Sequence, residues 1–240
     1  MNADQRLILE KLKSISTATL ATSLFKIGLR NQYIQGVLPL GKLKENMVGI
    51  AYTLRYIPAR EDLNPITVFQ DPKHLQRVAV EECPKGYVLV IDSRQNPKAA
   101  SAGSLLIGRL QQRGVAGIVT DGGFRDCKEI EALGFPTFQN RPSAPTNLTL
   151  HQAIAINEPI GCGEVAVFPG DFIVGDQDGV MVIPSEKAKA IVENCTQMTL
   201  FEQYVEEEIA KGASIIGLYP MTDPKKQAAF EKWKSRKSKR

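Results

Sequence analysis

The sequence predicts a single-domain α/β fold, with a parallel βαβ core packed beside a mixed or antiparallel β layer. Two stretches carry that expectation. Between residues 87 and 138, compact apolar runs alternate with segments whose apolar residues recur at helical spacing, the pattern of parallel strands joined by right-handed crossovers. Between residues 163 and 183, short apolar runs are separated by Pro-Gly and Asp-Gln-Asp-Gly turns, which suits antiparallel pairing. A chain of 240 residues with 43% hydrophobic content is enough to bury a substantial core.

The elements follow in order. Residues 7–29 carry apolar residues at helical spacing, with small hydroxylated residues over 14–23 of the kind found at helix ends, so one or two helices open the chain. Residues 48–57 alternate as a strand does, and 75–82 read as a helix. The run YVLVID at 87–92 is a strand buried on both faces. After a polar loop, a helix over 105–113 stops at Gly114, a standard C-terminal signal. Residues 115–120 form a second buried strand, and the loop 121–126 leads into a short helix that ends at Leu133 before Gly134. A third strand starts over 135–138. Beyond about Asn157, strands at 163–170, 172–174 and 180–183 make the second β layer. Pro184 and Ser185 then open a long helix to about Lys211, with Gly212 as its stop. No repeat or linker divides residues 1–220, which form one domain, whereas 221–240 is expected to be a flexible basic tail.

Composition excludes several classes of function. Residues 224–240 hold six Lys and two Arg against Glu231, so about +7 of charge sits in the tail and, with a net charge of +4, the remaining body is near −3. With Trp233 among its aromatic side chains, that tail reads as solvated, and nucleic acid is not expected as a partner. Cys83, Cys127, Cys162 and Cys195 are far apart and lack zinc-ligand spacing, as suits reduced thiols in a cytoplasmic protein. The N-terminus has no continuous apolar centre of a secretory signal. No apolar run approaches the roughly 20 residues that a membrane span requires.

Two loops are the candidates for chemistry, because each follows the carboxyl end of a parallel strand, where open α/β sheets bind ligands. In the first, Gly103 frees the backbone to approach a ligand, and the helix start at Ser104, Leu105 and Leu106 favours an anion. Ser104 is equally well placed simply to cap that helix. The second loop, DGGFRD at 121–126, ends in Arg125 and Asp126. A guanidinium there suits a carboxylate, and an aspartate suits a hard cation, although an Arg-Asp pair at a helix start is commonly no more than a surface ion pair or a cap. Dinucleotide, Walker, H-E-x-x-H and G-x-S-x-G motifs are missing. His74 and His151 are remote from both loops and read as structural. Asp176 and Asp178 read as turn residues rather than as a calcium loop.

An ordered series then gives a resemblance: GSLL at 103–106, RGVAGIVTDGGFRD at 113–126, Phe135-Pro136, VFPGD at 167–171 and DQDGVMVIP at 176–184. Over most of residues 15–220 the chain resembles the regulator of ribonuclease activity A-like superfamily. That superfamily includes the 4-hydroxy-4-methyl-2-oxoglutarate and 4-carboxy-4-hydroxy-2-oxoadipate aldolases. The resemblance implies a core like that of swivelling phosphohistidine domains, assembled as a homotrimer or homohexamer with sites between subunits. It implies a class II lyase that cleaves a small 2-oxo acid to release pyruvate, with oxaloacetate decarboxylation as a side activity. Arg125 would bind substrate oxygens, Asp126 would anchor Mg2+ or Mn2+, and the amides over Gly103, Ser104, Leu105 and Leu106 would receive the pyruvyl carboxylate. Glu202, from the C-terminal helix of a neighbouring subunit, would complete the site. Two positions depart from the aldolase pattern, since Ser104 and Ser23 stand where acidic residues are usual. A non-catalytic regulator that binds a ribonuclease, and a lyase for sugar-derived 2-oxo-3-deoxy acids, are the alternatives that the resemblance leaves open.

Overall fold

In a computed structural model that describes residues 1–237, two helices open the chain, α1 (Ala3–Leu12) and α2 (Thr17–Lys26). Asn2 caps the first through a reciprocal pair of hydrogen bonds with Gln5, and Ser16 caps the second by accepting from the Thr19 amide. After the two-residue β1 (Leu38–Pro39) comes the longest strand, β2 (Met47–Pro58). Three crossovers follow from it: α3 (Leu75–Glu82) to β3 (Tyr87–Asp92), α4 (Ser104–Gln112) to β5 (Gly117–Thr120), and α5 (Cys127–Leu133) to β7 (Thr137–Gln139). Strands β2, β3, β5 and β7 lie side by side and parallel, which is the βαβ core the sequence predicts.

Short segments just beyond the carboxyl ends of three of these strands pair again. They are β4 (Ala100–Ala102), β6 (Gly123–Phe124) and β8 (Arg141–Pro142), which form a separate parallel three-stranded sheet. Next come β9 (His151–Ile156), the antiparallel hairpin of β10 (Ile160–Cys162) and β11 (Val165–Val167), and the antiparallel pair β12 (Phe172–Asp176) and β13 (Gly179–Ile183). The second β layer is less separate than the sequence suggests. Strand β2 is long enough to pair with β12 along its first residues and with β9 along its last, so both antiparallel strands join the main sheet. Of the strands after β8, the β10–β11 hairpin stands apart from it as a sheet of its own.

Alternation along the strands explains the packing. Leu89 and Ile91 of β3 face α3, α4 and α5 in one core with Ala79, Ile107, Leu110 and Ile130, whereas Val88 and Val90 face the β10–β11 hairpin. A third core joins Phe172 and Val174 to α1, α2 and the long helix α6 (Ala188–Ala210). The expectation of a flexible tail is corrected through Lys237. Residues 224–237 form a helix, α7 (Pro224–Lys237), whose Phe230 and Trp233 pack on Phe201 and Tyr204 of α6. Trp233 also donates to Glu207 at 2.7 Å, and Lys237 lies 4.4 Å from the centre of its ring. Residues 238–240 of the expected tail lie outside the described residues. No helix among the described residues is long and apolar enough to cross a membrane.

Candidate active site

The two loops picked out in the sequence meet in one cleft. Strand β4 delivers Gly103 and the start of α4, while β6, hydrogen-bonded beside it, delivers Arg125 and Asp126. The Arg125 amide donates to the Ala102 carbonyl at 3.1 Å, and the Phe124 amide to the Gln139 side chain at 2.7 Å, so the second loop is tied to both neighbours. The cleft encloses about 480 Å³ of empty space, part of it open to solvent. Gly103, Leu105, Leu106, Arg125 and Asp126 line it, along with Phe69, Gln76, Arg77 and Asn147 from other elements.

Asp126 is the strained residue of the site, with φ 62° and ψ 41°, a left-handed conformation that L side chains seldom adopt. That conformation turns its carboxylate back toward α4. There Oδ2 accepts from the Ser104 amide at 3.1 Å and the Ser104 hydroxyl at 3.3 Å, and among the described residues no hydrogen bond engages Oδ1. Ser104 is therefore not the cap of its own helix. Gly103 occupies the cap position, Ser104 is the first helical residue, and the carboxylate that serves this helix end comes from Asp126. Glycine at 103 leaves room for the pair: a Cβ there would lie 2.6 Å from Asp126 Oδ2 and 3.1 Å from Arg125 Nε, so a larger residue would displace these side chains. Arg125 Nε is 3.8 Å from Asp126 Oδ2, with both side chains nearly half exposed, so this ion pair leaves the guanidinium free to take a ligand.

Below the cleft the loop is anchored by buried polar groups. Asp121 accepts from the amides of Ser93 at 2.6 Å, Gln95 at 3.0 Å and Gly163 at 3.1 Å, and burial pushes its carboxyl above the usual range despite those donors. The hydroxyls of Ser93, Ser101 and Thr120 close a triangle with sides of 2.7, 2.8 and 3.0 Å. His151 is fully buried and stacked on Tyr56, and burial with the nearby Arg94 lowers its pKa to about 4, as fits a structural ring. His74 precedes α3 and sits edge-on to Phe69.

Glu202 does not line the cleft. It lies on α6 and accepts from the Thr19 hydroxyl of α2 at 2.9 Å. Ser23, on the same α2, is buried. No cluster of three or more His, Cys, Asp or Glu side chains suited to a metal exists among the described residues. The cleft offers one free carboxylate oxygen, Asp126 Oδ1, with the Ser104 hydroxyl beside it. Such a site fits a hard cation that keeps most of its waters, as Mg2+ does, and not a cation that needs an all-protein cage. Sequence reasoning missed Arg77, Gln76, Asn147 and Phe69, which come from α3 and from two short 3-10 turns at 66–70 and 147–149 and belong to no local motif.

This fold and cleft define an α/β domain that presents a fixed cation, a carboxylate and a helix N-terminus at the carboxyl ends of parallel strands. The family model described as RraA-like, Aldolase/RraA, matches residues 17–182, and the chain belongs to that family. A relative from Halalkalibacterium halodurans named putative 4-hydroxy-4-methyl-2-oxoglutarate aldolase is 34% identical over 144 residues, 59% of this chain and 67% of the relative. Protein DlpA of Legionella pneumophila is 26% identical over 212 residues, 87% of this chain, but that stretch is 32% of DlpA. Among solved structures, Streptomyces coelicolor RraAS2, described as an unusual member of the RNase ES inhibitor RraA protein family, superposes with a TM-score of 0.74. The two are 27% identical, with 86% of this chain and 97% of that one covered.

Proposed function

We propose that the chain is a divalent-metal-dependent carbon–carbon lyase, cleaving a 4-hydroxy-2-oxo acid to pyruvate and a second carbonyl compound, with oxaloacetate decarboxylation as a side activity. The observation that carries this reading is the convergence of Arg125, strained Asp126 and the α4 N-terminus in one cleft. The aldolase names of relatives support it.

The substrate carboxylate is received by the amides of Leu105 and Leu106, in the first turn of α4, where a helix leaves its N–H groups without internal partners. Arg125 binds an oxyanion with its planar fork. Asp126 Oδ1 would hold Mg2+ or Mn2+. When bound, the cation supplies Lewis-acid stabilisation for negative charge on the 2-oxo oxygen. In the retro-aldol step the C4 hydroxyl gives its proton to a water held near Ser104, C4 becomes a carbonyl, and the C3–C4 electron pair passes to the pyruvyl fragment. Protonation of C3 then completes pyruvate. Glu202 joins only as a neighbour's residue, which motivates a homotrimer or homohexamer. Leu105, 88% exposed at the rim of the cleft, is a large apolar side chain that such a neighbour would cover. Four free cysteines suit work in the cytoplasm.

The test is pyruvate release from oxaloacetate and a panel of 4-hydroxy-2-oxo acids, including sugar-derived 2-oxo-3-deoxy acids, with Mg2+ or Mn2+. Activity is expected to vanish with EDTA and return with the cation; full turnover in a metal-free preparation would overturn the mechanism. A second reading, a non-catalytic regulator that docks on a ribonuclease, is favoured by the likeness to RraAS2. It predicts no pyruvate from any of these acids.

A further inference from the structure

We propose that Gln139 is a positioning residue of the cleft: from behind the second loop it grips both flanks of the Arg125–Asp126 pair and holds the Asp126 carboxylate in its strained place. This rests on the reading of Arg125 and Asp126 as the residues that take an oxyanion and a cation, and adds what keeps them there.

The geometry of the grip carries the inference. Gln139 ends β7, is 5% exposed and is not among the residues that line the cleft, so it acts only through the loop. Its Oε1 accepts from the Phe124 amide at 2.7 Å, and its Nε2 donates to Cys127 Sγ at 3.6 Å. The Cys127 thiol in turn donates to the Phe124 carbonyl at 3.5 Å, which closes a ring of three hydrogen bonds. Phe124 and Cys127 are the residues that flank the Arg125–Asp126 pair in the chain. The ring has one sense only. A backbone N–H can only donate, so the end of the Gln139 amide that meets Phe124 is the oxygen, the nitrogen faces sulfur, and the thiol proton is left for the carbonyl. The base of the grip is itself tied, because the next amide, that of Asn140, donates to the Gly122 carbonyl at 2.9 Å.

Such a ring opposes the motion that would release the strain at Asp126. With φ at 62°, this residue would gain by returning to right-handed backbone. That rotation swings Cys127 relative to Phe124, and the ring ties those two together. Helix α5 contributes little of its own, since it is seven residues long and buries one side chain, Ile130. The bonds through sulfur are individually weak, but Gln139 is closed off from water, so solvent does not compete for its amide.

The test starts from the Ser104 amide, which lies at the first position of α4, where the helix supplies no partner, and which donates to Asp126 Oδ2. Its hydrogen exchange reports whether the carboxylate is in place, with no metal or substrate added. In Gln139→Met, close in length and without hydrogen-bonding groups, exchange at Ser104 should be roughly tenfold faster than in the wild type, with buried Val90 of β3 as protected as before. Binding of Mn2+, followed by electron paramagnetic resonance, should weaken by a similar factor of roughly ten. Cys127→Val removes only the bonds through sulfur and should produce a smaller change in the same direction. Adding it to Gln139→Met should change nothing further, since the ring is already open. Cys127→Ser, which can still donate and accept, should stay near the wild type. The proposal is overturned by unchanged exchange at Ser104 in Gln139→Met or, should that variant not fold, in Cys127→Val. Equal acceleration at Ser104 and Val90, or faster exchange at Ser104 with Mn2+ affinity intact, overturns it as well. A wild type that binds no Mn2+ sinks the metal reading instead, and exchange at Ser104 then decides the grip by itself.

Discussion

Asp121 and Asp126 stand at the two ends of one loop, and their surroundings are opposite. Asp121 is 1% exposed and its oxygens take three backbone amides. The side chain of Asp126 is 40% exposed, its backbone is left-handed, and one of its oxygens accepts from Ser104 and lies 3.8 Å from Arg125 Nε, while among the described residues no hydrogen bond engages the other. The first aspartate commits both of its oxygens to fixing the floor of the loop. The second keeps capacity in reserve, in a strained conformation that the fixed floor sustains. A carboxylate whose oxygens are all taken by backbone amides holds the fold, and one left partly free beside a cation and a helix N-terminus is available for chemistry.

That division of labour can be broken from either end. The largest effect is expected at the tip. Arg125→Lys should lower kcat/KM by roughly 10²-fold, nearly as much as Arg125→Ala, because a point charge does not reproduce the planar fork. Steady-state kinetics beside thermal unfolding will check this, with no change in melting expected; a lysine variant that kept most of its activity would reduce Arg125 to a source of positive potential. At the floor the sign reverses. Asp121→Ala leaves three amides without an acceptor and should cost about 3 kcal/mol of stability in urea unfolding. Wild-type stability in that variant would mean that the amides find water.

The smallest effect belongs to pH. His151 titrates near 4 in the folded protein against an ordinary value of 6.5. Between those values the unfolded chain binds more protons than the folded one, so this histidine makes stability rise with pH and fall as the solution is acidified from 6.5 toward 4. The contribution amounts to about 2 kcal/mol between pH 8 and pH 5. His151→Phe, which keeps a ring on Tyr56, should flatten the slope by that amount in urea midpoints taken across the range. An unchanged slope would show that the ring is protonated while buried.

Much of this was legible in the sequence because the signals are local. The strands at 87–92 and 117–120 are short apolar runs ended by polar loops, and Gly114 and Gly134 mark helix ends at positive φ, 73° and 60°. Both candidate loops, at 103–106 and 121–126, lie at strand ends as the sequence predicts, for the same reason. What escaped depends on distant partners. β9 is half exposed, and its place is set by the far end of β2, nearly a hundred residues earlier. α7 was hidden by its lysines, although Phe230 and Trp233 stand three apart, the spacing of one helix face. Arg77 and Asn147 carry no motif at all; only the closing of α3 and the 147–149 turn over the cleft reveals them.

The division between floor and tip is tested most directly by measuring pyruvate release with saturating Mg2+ for the wild type and Asp126→Asn, beside the unfolding midpoint of each. The account predicts a loss of roughly 10²-fold or more in turnover, since the amide keeps the shape and gives up the charge that would hold the cation, with stability nearly unchanged. Full activity in Asp126→Asn, or a loss of activity explained by unfolding, would contradict it.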